Sequence, residues 1–134
     1  MTPEAAKIMA KAADLLTRGR AMVAAGLGED AGRSAYLAAF NAARALIWER
    51  TGRLVQTHRG VRSEFHRVMR GIILADANLL VFLSRAYAFK TRADYDTEPS
   101  PGITLDQAAA ALAEAERFIA AIAALLDSPA PDGA

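Results

Sequence analysis

The chain has 134 residues, no cysteine, and 16 basic against 15 acidic residues, for a formal net charge of +1. That length serves one domain, and 53% apolar with 23% charged residues rules out wholesale disorder. The missing cysteines exclude a disulfide framework, a thiolate nucleophile and a cysteine metal site.

Alanine, the best helix former, dominates, and strand signals are nearly absent. Thr2-Pro3-Glu4 is a helix start, with a capping hydroxyl, proline at the first position and an acid at the positive end. This first helix runs to the stop Gly26-Leu27-Gly28. Asp30 is expected to cap a second helix, through Tyr36, Phe40 and Ile47 to Gly52. Thr57 caps a third, from about His58 to Gly71, and Asp76 a fourth, from Ala77 to about Tyr95. Pro99-Ser100-Pro101-Gly102 breaks the chain, and Thr104 with Gln107 has capping-box spacing for a last helix ending near Asp127. The reading is all-α: an up-and-down bundle of about five helices over residues 1–127, with residues 128–134 a disordered tail. Thin alanine faces bury little area, so a homodimer that completes the core is expected. No apolar run reaches the ~18 residues of a membrane span. The opening segment has no signal-peptide layout, so a cytoplasmic protein is expected.

Charge is unevenly placed. Residues 44–70 hold seven arginines and two acids, whereas residues 94–134 hold eight acids and one arginine. At about 100° per residue, Arg59, Arg62, His66 and Arg70 fall within about 80° of one another on the third helix. Val61, Phe65, Val68 and Ile72 cluster opposite and mark the core face. Such a cationic stripe suits a phosphate backbone; it is equally the solvated face of an amphipathic helix. No aromatic residue interleaves with it, which argues for backbone contact rather than base stacking.

On the fourth helix, Leu79, Leu80, Leu83, Ala86 and Tyr87 form the inner stripe. Lys90 and Asp94 continue it, spaced to pair along the helix. Phe82, Arg85, Phe89 and Arg92 share another face. Outward phenylalanines beside arginines read as a dimer contact, unless the first or last helix covers them.

The segment Ser34-Ala35-Tyr36-Leu37-Ala38-Ala39-Phe40-Asn41-Ala42-Ala43-Arg44-Ala45-Leu46 is followed by Thr57-His58-Arg59-Gly60-Val61, then Phe65, then Ala93-Asp94-Tyr95-Asp96. That order resembles the HEPN superfamily, in particular its small stand-alone bacterial members with an ADY signature, over roughly residues 5–126. The resemblance implies a helical bundle that dimerises. It also implies pairing with a minimal nucleotidyltransferase in toxin–antitoxin operons, and metal-independent ribonuclease activity in many members. There an arginine and a histidine four to six residues apart on the late helix cleave RNA across the dimer. This chain departs from that pattern: no histidine follows His66, and Lys90 stands five before Tyr95. The resemblance also implies that a tyrosine near this helix end, here Tyr95, can be nucleotidylated; its bland role is packing the helix end.

Metal-free RNA cleavage needs a base for the 2′-hydroxyl, an acid for the leaving oxygen and cations for phosphate. His58 at a helix start is the candidate base, and its bland alternative is ordering the loop with Thr57; Lys90, Arg92, Asp94 and Tyr95 complete the candidate catalytic set. Arg59, Arg62, His66 and Arg70 are the phosphate-binding candidates, and Phe82, Arg85 and Phe89 the dimer-interface candidates. Two histidines are too few for a typical zinc site, and neither metal nor cofactor is expected. Gly26-Leu27-Gly28 lacks a preceding strand and a lysine signature, so no phosphate loop is present. The reading is RNA or nucleotide binding in a toxin–antitoxin or defence setting; metal-independent ribonuclease activity stays open, because the arginine–histidine motif is missing from the late helix. The alternative is a non-catalytic module that dimerises and binds a nucleotidyltransferase partner.

Overall fold

Five helices follow one another: α1 (Pro3–Ala24), α2 (Gly28–Thr51), α3 (His58–Arg70), α4 (Ala77–Tyr95) and α5 (Leu105–Asp127). The computed structural model describes residues 1–70, 77–95 and 102–127, and within α4 the side chains of 81–88, 90 and 91 only. The expected cap Asp76, core residue Ile72, proline break at 99–101 and tail at 128–134 lie outside the described residues.

The helix ends follow from local chemistry. Thr2 caps α1, its hydroxyl oxygen accepting from the Ala5 N–H at 3.2 Å. Its N–H and hydroxyl also donate to the Glu49 carboxylate, tying the start of α1 to the end of α2. Thr104 and Gln107 form the expected capping box, with reciprocal bonds of 3.0 and 3.1 Å. The start of α2 departs from expectation. Gly26 adopts φ 80°, Leu27 N–H reaches Met22 O and Gly26 N–H reaches Val23 O, a Schellman stop. Leu27 is then already the N-cap of α2, with no side-chain cap. Asp30 therefore sits inside the first turn and pairs with Arg33 at 3.0 Å instead of capping. The glycine corner is too short to leave a capping position free.

The second helix is the hub and packs against all four others. Alanine lines it, with Ala31, Ala35, Ala38, Ala39, Ala42, Ala43 and Ala45 all buried, so neighbours approach closely on several sides. The volume of the core comes from Tyr36, Phe65, Phe118, Leu46, Ile47, Met69, Leu83 and Ile122. Each buried Leu, Ile or Phe contributes roughly 2 kcal/mol of transfer free energy, which alanine cannot match. Phe118 on α5 joins the layers, its ring 5.6 Å from Phe65 and 5.2 Å from Phe82. Two buried polar side chains on the hub are satisfied: Ser34 donates to Leu15 O at 2.6 Å, and Asn41 donates to Leu37 O at 2.8 Å, whereas the Nε of Arg50 is buried without a partner. At the far end Arg50 donates to Leu125 O at 2.9 Å, a cation on the negative end of α5. No helix among the described residues is long and apolar enough to cross a membrane.

Glycine at position 28 is required by this packing. A Cβ there would stand 2.5 Å from the Ile103 carbonyl oxygen, a backbone atom that cannot rotate away. Gly28→Ala is expected to cost about 1–3 kcal/mol of stability. Urea unfolding should show a lower midpoint at unchanged slope; an unaltered midpoint would mean that the α2–α5 approach has slack.

Candidate functional site

The stretch Thr57-His58-Arg59-Gly60-Val61 opens α3, and each residue has a physical job. The Thr57 hydroxyl oxygen accepts from Gly60 N–H at 3.0 Å and caps the helix, as expected. Position 60 has no room for a side chain: a Cβ would lie 2.6 Å from Thr57 Oγ1 and 2.8 Å from Val55 Cγ1. Val61 and Phe65 are wholly buried and set the helix on the bundle.

His58 faces the bundle rather than the loop. Its Nδ1 lies 2.7 Å from the Tyr36 hydroxyl. Its ring centroid is 4.8 Å from Phe40, 5.5 Å from Tyr36 and 5.6 Å from Tyr87. Thr57 caps through its own hydroxyl, and the His58 ring packs where α3 meets α2 and α4. Burial pushes the Tyr36 hydroxyl well above its usual range, with the Arg62 charge opposing and Tyr87 adding to the rise. The phenol therefore stays protonated. Tyr36 and Phe40 are four apart on α2 and present one surface to the imidazole. A turn further on, Arg44 Nε donates to Val55 O at 2.9 Å while its Nη1 donates to Asn41 Oδ1 at 3.0 Å. The α2 segment Tyr36–Arg44 thus holds both the loop before α3 and its first residue. Sequence reasoning singled out His58 but missed Tyr36, Phe40 and Tyr87 as its partners. The i, i+4 aromatic pair on α2 was the available signal.

The basic row divides. Arg59, His66 and Arg70 are exposed, as expected. Arg62 is half-buried, its guanidinium carbon 4.0 Å from the Tyr87 ring centroid. It is not simply a member of a solvated face. Arg62 lies about 60° around the helix from buried Phe65, at the edge that meets α4. An aromatic residue does therefore join the row, supplied by α4 rather than α3. The core face also turns toward that edge: Met69 is buried where Val68 was expected, and Val68 is only partly covered. Glu64, the one acid of α3, lies apart from the row and binds Arg67 at 2.7 Å and Arg53 at 2.8 Å. Among the described residues, no ion pair reaches Arg59, Arg62, His66 or Arg70.

On α4, Leu83 and Ala86 are buried and Tyr87 half-buried, as the inner stripe requires. Lys90 is half-buried on the same side and has an interaction partner. Phe82 is not outward: it is 6% exposed and packs on Phe118. The fourth helix is covered by α5 as well as α2, which widens its buried arc to include position 82. Arg85 remains exposed. The side chains of Phe89, Arg92, Asp94 and Tyr95, and those of Leu79 and Leu80, lie outside the described residues. The structure brings His58, Arg62, Tyr36 and Tyr87 together, with Lys90 one turn beyond Tyr87.

Hydrogen bonds from Arg67, then Arg53, hold the Glu64 carboxyl at about 2, against an ordinary 4.5. The depressed value adds stability that is fully present above pH about 4.5 and lost as pH falls toward 2. Glu64→Gln should therefore flatten the acid limb of a melting-temperature profile in that window. An unchanged limb would show that the triad contributes nothing.

The family model of the HEPN domain matches residues 5–125. No curated protein matches the chain. The match spans all five helices, from the first turn of α1 to the last turn of α5, and includes the α2 segment and α3 start that build the His58 cluster. On that match the chain belongs to the HEPN domain family.

Proposed function

We propose that this HEPN protein binds RNA or nucleotide phosphates along the outer face of α3. The observation that carries this reading is the row Arg59, Arg62, His66 and Arg70, which no acid among the described residues neutralises while Glu64 is engaged elsewhere. Guanidinium groups grip phosphate oxygens bidentately, and a row along one helix follows a backbone without reading sequence. Arg62 over Tyr87 adds a flat surface at one edge of the row. The resemblance supports a toxin–antitoxin or defence setting. In the stronger form of this reading the protein cleaves RNA without metal. His58 takes the 2′-hydroxyl proton as that oxygen bonds to phosphorus, Arg59 and Arg62 hold the phosphate, and the P–O5′ bond breaks with a proton delivered to the 5′-oxygen from the α4 set of Lys90, Arg92, Asp94 and Tyr95.

A specific observation favours a second reading. His58 Nδ1 is committed to Tyr36, and its ring is set among three aromatic rings, an arrangement suited to docking α3. On this reading the protein is a non-catalytic module. It dimerises through α4, where Val81, Ser84, Arg85 and Ala88 are exposed, and binds a minimal nucleotidyltransferase.

RNA titrations across salt test the first reading. Arg59→Gln and Arg70→Gln should each weaken binding and reduce the log–log salt slope by about 1; wild-type slopes in both variants would remove the row from the interface. Labelled tRNA and total RNA incubated without metal, beside His58→Ala, separate the two readings. Loss of cleavage in a variant whose circular dichroism melt is still cooperative supports the enzyme. No cleavage by the wild type, with retained RNA affinity, leaves the module.

A further inference from the structure

A cavity of about 170 Å³ opens between α2, α4 and α5. Its walls are mostly carbon. Gly32 and Ala35 come from α2, Ala86 from α4, and Ala110 and Ala111 from α5, with Tyr36 and Phe82 as aromatic surfaces. The gap exists because small side chains face one another from three helices. Two charges line the same cavity: Arg85, exposed on α4, and Glu114, half-buried on α5. Opposite charges on neighbouring helices can pair, as Arg20 and Glu116 do from α1 to α5. Arg85 and Glu114 form no ion pair with each other, and neither has another partner among the described residues.

We propose that this cavity binds a free α-amino acid with an apolar or aromatic side chain. A zwitterion answers both charges at once: its carboxylate meets the Arg85 guanidinium and its ammonium meets the Glu114 carboxylate. The volume suits the side chain, since an apolar cavity of about 150 Å³ accommodates a benzene ring. Tyr36 and Phe82 supply the aromatic contact such a ring prefers. A nucleotide fits less well, because its phosphate satisfies Arg85 while adding negative charge beside Glu114. A residue within a peptide carries neither of the terminal charges that the rim asks for. None of Arg59, Arg62, His66 and Arg70 lines the cavity, so the proposal does not rest on RNA binding by that row.

Thermal-shift and calorimetric titrations of the intact protein test it. L-phenylalanine and L-leucine should raise the melting temperature in a concentration-dependent way. Phenylacetate and phenethylamine, each lacking one of the two charges, should bind at least ~10-fold more weakly, as should L-phenylalanine to Arg85→Gln and to Glu114→Gln. Ala110→Leu, which fills the cavity from an exposed position, should abolish binding while the protein still melts cooperatively. Three results overturn the proposal: no shift with any amino acid, tighter binding of adenosine monophosphate than of L-phenylalanine, or equal L-phenylalanine affinity in the wild type and all three variants.

Discussion

The architecture rests on one helix thin enough to be surrounded. The second helix carries alanine on half of its buried positions, and the remaining four helices all touch it. Close approach has a cost, because alanine removes little apolar area from water. Large side chains on the neighbours make up the difference, with Phe65, Met69, Leu83, Phe118 and Ile122 all buried. Where even a methyl group is too much, glycine appears, as at Gly28 against the Ile103 carbonyl.

The few larger residues on this hub are where chemistry enters. Ser34 anchors α1, while Tyr36, Phe40, Asn41 and Arg44 control the loop and first turn of α3. Tyr36, Phe40 and Arg44 lie four residues apart along the helix, so one face of α2 writes the position of His58 and, through it, the direction of α3. The Tyr36–His58 bond is partly buried and couples two polar groups that would each be costly alone. The basic row of α3 owes its orientation to this anchoring, and the same contact explains how the histidine that opens this basic helix is drawn partly out of solvent.

Electrostatics separates the two edges of α3. Glu64 gathers Arg53 and Arg67 into a local triad, which steadies the α2–α3 connection. The opposite edge keeps its positive charge and borrows an aromatic ring from α4. A helix with one acid among several arginines could have neutralised itself evenly; the placement of that acid leaves the field concentrated on one side. On α4 the contrast is between Lys90, half-buried along the inner side, and Arg85, exposed on the rim of a cavity.

Much of the fold was legible in the chain itself. Helix number, the Thr2, Thr57 and Thr104 caps, the Gly52 stop and the exposed Arg59, His66 and Arg70 all follow from propensity, capping chemistry and the 3.6-residue period, which act within a few residues. Asp30 failed as a cap because a glycine corner took the position first. What needed the tertiary structure was every contact between helices: the ring of Tyr36, Phe40 and Tyr87 around His58, the turn of Arg62 onto Tyr87, and the covering of Phe82 by Phe118. A helical wheel gives the angle of each side chain about its own axis but not which neighbour occupies that angle. That second quantity depends on how alanine-lined helices settle against one another, and no local pattern encodes it.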